Sequence, residues 1–224
     1  MAHTLSASTK AVRSIAVSRP VTRRLLTGGL VAGPLFLGTG IVQGLTRDGF
    51  GFTRNAISQL ALGDLGWIQV ANFLLTGALV IAGAIGMRRV LRGVPGGIWA
   101  PRLVGVFGAS FLAAAVFPAD AGAGFPIGAP EATSLSAHGA VHMISGMVGY
   151  LALCAAFPVL ARCLGSLGHR GWAVAARLVP VGVLAGFAGS SVSVLAFTVG
   201  AGLGLAGMTA VMVRLVTEAP AANR

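Results

Sequence analysis

Charge is what this chain has least of: 9% of its residues are charged and only five are acidic, where a soluble domain carries roughly 25%. So few charges leave no way to cover a water-facing surface, which excludes a soluble fold. Cysteine is nearly missing too. Cys154 and Cys163 are the only two; on a helix their separation is too long to bridge, and they have no metal-type spacing. There is no phosphate-cradling glycine loop followed by Lys and Ser or Thr, and no Gly-x-Ser-x-Gly nucleophile elbow. His138-Gly139-Ala140-Val141-His142 lacks the glutamate that a zinc-protease helix uses as base. No catalytic motif is recognised.

What the chain does contain is apolar length, 55% hydrophobic over 224 residues. A spanning helix needs about 20 such residues, so the reading is all-α, a polytopic transmembrane bundle of six helices. The spans fall at 25–44, 67–87, 99–117, 137–160, 174–194 and 197–216. Residues 25–217 then form one transmembrane domain, between a basic tail at 1–24 and a short tail at 218–224. The first tail has the composition of a transit peptide, but a disordered cytoplasmic segment is the preferred reading. Arg23-Arg24-Leu25-Leu26 faintly resembles a twin-arginine export signal; the apolar stretch after it outlasts a signal core, so a retained helix is expected. Almost nothing polar separates the last two spans, which read as a tight hairpin or as one bent re-entrant element. Ser190, Ser191 and Ser193 mark the end of the fifth.

The net charge of +11 does not point to nucleic acid, because the basic residues recur in small groups between apolar runs instead of forming one face. Six spans place fourteen of the sixteen Lys and Arg on one side and leave only Arg47 and Arg54 on the other. Basic residues are retained in the cytoplasm, so both termini are expected there and Arg54 outside. Glycine pairs at four-residue spacing, Gly29 with Gly33, Gly40 with Gly44, Gly182 with Gly186 and Gly200 with Gly204, suit close helix packing within the chain. Pro34 and Pro180 are expected to kink their helices.

Polar chemistry collects at the outer end. The loop from Arg47 to Gly66 is too polar to span, and Ala56, Ile57, Leu60 and Leu62 are spaced for a short helix lying against the bundle. Arg54 reads either as an ion pair with Asp64 or Asp120, or as the grip on a lipid phosphate or other anionic ligand. Trp67 reads as an interfacial anchor. Gln69 and Asn72 extend a polar pocket inward from Arg54 and His142. His138 and His142 lie one helical turn apart, about 6 Å on one face. With Asp120, or Glu131 next, they form a candidate divalent-metal set; polar bonds across helices are the simpler account.

Arg54-x-x-Ile57-Ser58-x-Leu60, Gly66-Trp67, Asn72-Phe73-x-x-x-Gly77, Phe117-Pro118-x-Asp120 and the His138, His142 pair together resemble the prokaryotic membrane family catalogued as domain of unknown function 998. The resemblance covers roughly residues 20–217. It implies a six-helix membrane protein with Arg54, Ser58, Trp67, Asp120 and His142 as signature positions, and it brings no activity; the expected location, read with the charge bias, is the bacterial cytoplasmic membrane. The leading functional reading is a multi-pass membrane protein whose outward polar pocket, built from Arg54, Asn55, Ser58, Trp67, Asn72 and Asp120, binds a lipid head group or other anionic ligand. Membrane lipids are the expected partners, and no cofactor is predicted beyond that candidate metal. The alternatives are a metal-assisted lipid hydrolase or transferase and a small transporter; no internal repeat supports the last.

Overall fold

The computed structural model describes residues 2–130 and 133–218. Lipid offers no partner to backbone amides, so an apolar segment of membrane length pairs its own N–H and C=O groups as helix. Six helices follow: α1 (Ala2–Thr46), α2 (Gly66–Val90), α3 (Trp99–Val116), α4 (Ala137–Ser166), α5 (Arg170–Gly189) and α6 (Val194–Glu218). Each contains a stretch long and apolar enough to cross a membrane, in α1 the segment Pro20–Thr46. Helical backbone runs back to Ala2, where the sequence reading places a disordered tail. A helix once nucleated extends at the cost of ordering one residue per hydrogen bond. Residues 219–224 and Glu131 lie outside the described residues. Pro34 and Pro180 sit inside helices that continue through them without a break.

Each helix packs on its neighbour in sequence, and α6 returns to α1, closing a ring. The long loop 47–65, the loop 117–136 and the turn 190–193 meet at one end, hereafter the Arg54 end. There Val194 N–H donates to the Thr53 carbonyl (3.0 Å), and Asn55 Nδ2 donates to that of Gly122 (3.2 Å). The connections 91–98 and 167–169 lie at the opposite end.

The last two spans form a tight hairpin. α5 stops at Gly189, five residues before the expected boundary at 194. Ser190 and Ser191 turn their hydroxyls back onto the carbonyls of Phe187 and Ala188, and Val192 and Ser193 donate their amides to Gly189. The freed chain end starts α6 at Val194. Two backbone crossings depend on glycine: a methyl group on Gly186 would stand 2.6 Å from the Gly200 Cα, and one on Gly29 would stand 2.8 Å from the Gly83 Cα. Small residues there let helices approach where no hydrophobic force separates helix from lipid.

Away from the Arg54 end the ring is solid. Leu153, Phe157 and Leu160 of α4 and Leu205, Met208 and Met212 of α6 belong to one buried core there, all at most 2% exposed. Nearer the Arg54 end the interior opens.

Candidate functional site

The loop 47–65 is folded as a cover over that opening. Arg47 crosses beneath it, donating Nη1 to the Leu60 carbonyl (2.5 Å) and Nη2 to that of Leu62 (2.6 Å), with its guanidinium 4.8 Å from the Phe125 ring centre. Burial lowers the Arg47 pKa from its ordinary value, and the charge of Asp64 opposes the shift. Ile57 and Leu60 begin a short 3-10 helix, Ile57–Ala61, and press into the bundle, so the expected short helix is a plug tucked under the loop. Asn55 is fully buried; its Oδ1 accepts the Gly51 amide (3.0 Å) while its Nδ2 reaches Gly122. Gln59 ties the same loop to the Asp120 carbonyl at 3.3 Å. A polar loop at a membrane boundary thus satisfies its backbone by internal bonds, and the three connections at this end become one assembly.

Beneath the cover lies a cavity of about 460 Å3, inside the roughly 300–1,000 Å3 range of small-molecule sites. Ala56, Ile57 and Ser58 face it from the cover. One wall is the cluster Phe36, Phe73 and Phe111, with ring centres 5.0 to 6.1 Å apart. The other is Tyr150, Phe187 and Phe197, at 4.9 to 6.2 Å, where α4 meets the α5–α6 hairpin. Met143 and Met147 of α4 line the cavity and are still 59% and 52% exposed, so that flank is open sideways between helices. No Asp, Glu, Lys or Arg lines it among the described residues. Its polar groups are Ser58, Ser110, His142, Tyr150, Ser190 and Thr198. Ser110 is bonded to Phe107 (2.7 Å); the Thr198 hydroxyl is buried with no hydrogen-bond partner.

His142 reaches out of the helix to the Phe117 carbonyl, Nδ1 to oxygen 2.8 Å, and packs edgewise on Phe73. His138 is exposed and meets the Phe117 ring edge to face, with centres 5.6 Å apart. Asp120 spends its carboxylate on Ser136, the residue that caps α4: Oδ2 accepts the amide (2.9 Å) and Oδ1 the hydroxyl (2.5 Å). Those bonds hold its carboxyl below the ordinary carboxylate value. The charges of His138 and His142 also reach Asp120 and lower its pKa further, while among the described residues, which leave out Glu131, no three His, Cys, Asp or Glu side chains are grouped to hold a metal ion.

Of the anticipated ligand-binding residues, only Ser58 faces the cavity, joined by His142 from the metal set. Arg54 is exposed and donates to the Gly49 carbonyl (2.9 Å); among the described residues the expected ion pair with Asp64 or Asp120 is not formed. Trp67, 67% exposed at the start of α2, has the place of an anchor. Asn72 belongs to a seam between α1 and α2, where it donates to the Phe36 carbonyl (3.2 Å) and to Gln69 (3.2 Å) and receives a bond from Thr76. Gln43 donates to Gln69 in the same seam (2.9 Å). These four side chains are all at most 5% exposed, which makes the polar residues expected in a pocket into helix-to-helix bonds. A second hollow of about 440 Å3 runs past Gln43 and Arg47, but both nitrogens at the tip of Arg47 already serve the loop.

Sequence reasoning missed Thr198, Tyr150 and Gly146. Tyr150 is the only tyrosine in the chain, a signal available without a structure; Thr198 and Gly146 have no local mark that separates them from other span residues.

Six membrane-length helices ringed around an uncharged cavity define a multi-pass membrane protein. The chain belongs to the family described as Protein of unknown function (DUF998), whose model matches residues 30–217. No curated protein and no solved structure matches it.

Proposed function

We propose that the protein holds one membrane lipid, with the apolar chain in the cavity beside α4 and the polar end beneath the cover, on the outer side of a bacterial cytoplasmic membrane. One observation supports this most directly: an aromatic-walled cavity without formal charge, open through Met143 and Met147, on a flank that lipid chains surround. The orientation is supported by basic residues, since Arg88, Arg89, Arg92, Arg162 and Arg170 cluster at the end opposite Arg54.

Gly146 supplies the test. It lines the cavity, and a Cβ built on it meets nothing within 4 Å, so Gly146→Leu should enter the open space and leave α4 in place. Protein purified in mild detergent should carry a bound lipid, detectable by extraction and mass spectrometry, and the variant should fold and lose it. Equal lipid content in the two proteins would remove this reading.

A second reading places an anionic head group on Arg54, favoured by a guanidinium that is exposed and bonded to Gly49 through one nitrogen. Arg54→Gln should then reduce the share of anionic lipids among those that co-purify; an unchanged lipid profile argues against it.

A further inference from the structure

Resting on the lipid reading above, we infer that the polar group of the ligand is an uncharged hydroxyl that donates to Nε2 of His142, so that the site takes a single-chain lipid alcohol in preference to an anionic lipid. The argument starts at Phe117. A carbonyl oxygen only accepts, so the 2.8 Å contact places a hydrogen on Nδ1. In the neutral ring that leaves Nε2 as a bare acceptor, on a side chain that lines the cavity.

A ligand hydroxyl carries the hydrogen that a bare acceptor needs. An ester or a carboxylate only accepts and leaves Nε2 unmet. A carboxylate or phosphate would also surrender its hydration with no cation to receive it while the His142 ring is neutral, since no Asp, Glu, Lys or Arg lines the cavity among the described residues. Asp120, the nearby acid of the α3–α4 loop, is occupied by Ser136. Size selects one chain: at roughly 30 Å3 for each water-sized group, the cavity has room for about fifteen.

The test compares three probes of equal chain length, 1-dodecanol, methyl dodecanoate and dodecanoate, added to the detergent-solubilised full chain at pH 8, with binding read by native mass spectrometry. The alcohol should bind about tenfold more tightly than either of the others, the worth of one good hydrogen bond. His142→Asn keeps a group at the Nδ1 position for Phe117 and removes Nε2; it should still bind the chain but lose the preference. Equal binding of all three probes to the unaltered protein, or a full preference retained in His142→Asn, overturns the assignment of the hydroxyl and leaves the lipid reading standing. Failure of every probe to bind, or binding indifferent to Gly146→Leu, overturns both.

Discussion

Asp120 and Ser136 form a reciprocal lock at the start of α4: the carboxylate takes both the amide and the hydroxyl of Ser136, while the same hydroxyl accepts the Gly139 amide at 2.9 Å. This joins the end of the α3–α4 loop to the first turn of the helix that carries His138 and His142. A helix start leaves its first amides without intrahelical partners, and here one side chain satisfies one of them while a second side chain holds the first in place.

The lock titrates with Asp120. Because its folded pKa lies below the ordinary value, the stabilisation is fully present above the unfolded value, about 3.9, and disappears as pH falls through the folded one. Protection of the 136–140 amides against hydrogen exchange, taken relative to the intrinsic rate at each pH, should hold down to about pH 4 and fall below it. Asp120→Asn should show the lowered protection at neutral pH. Gly139→Ala should do the same, because its methyl group would collide with the Asp120 carboxylate.

Arg47 and Arg54 sit in one loop and differ in consequence. Arg47→Met removes two charge-assisted bonds to part-buried loop carbonyls and should cost about 2–4 kcal/mol. Arg54→Met, at an exposed site, should change stability by no more than about 0.5 kcal/mol. Thermal unfolding in one detergent would compare them, and equal losses would contradict the assigned roles.

Glycines separate by what surrounds them. Gly186→Ala drives a methyl group against the Gly200 backbone, which has no rotamer to move aside, and should destabilise by about 1–3 kcal/mol. Gly105→Ala, in α3 with nothing within 4 Å, should stabilise by about 0.5–1 kcal/mol. A midpoint for Gly186→Ala at or above that of the unaltered chain would show that the α5–α6 crossing is looser than drawn.

Asn72 distinguishes seam from pocket. Asn72→Leu strips bonds from Phe36, Gln69 and Thr76 and should lower stability by about 1–3 kcal/mol, with bound lipid per folded protein unchanged. Loss of lipid in a variant of normal stability would return Asn72 to the binding site.

Hydropathy and charge pattern alone determined the six spans, their alternation and the polar character of the end that carries Arg54, because each depends on windows of about 20 residues read along the chain. The motifs from Arg54 to His142 were enough to suggest the family. Tertiary structure decided the fate of individual polar side chains: Asn72 and Gln69 turn into the α1–α2 seam, Asp120 into a helix cap, and Ser58 and His142 toward the cavity. Hydrogen bonds in lipid join atoms from helices and loops far apart in sequence, at separations of about 3 Å. Whether a polar residue meets a partner or open space is therefore set by which helix stands beside it, and no local pattern encodes that neighbour.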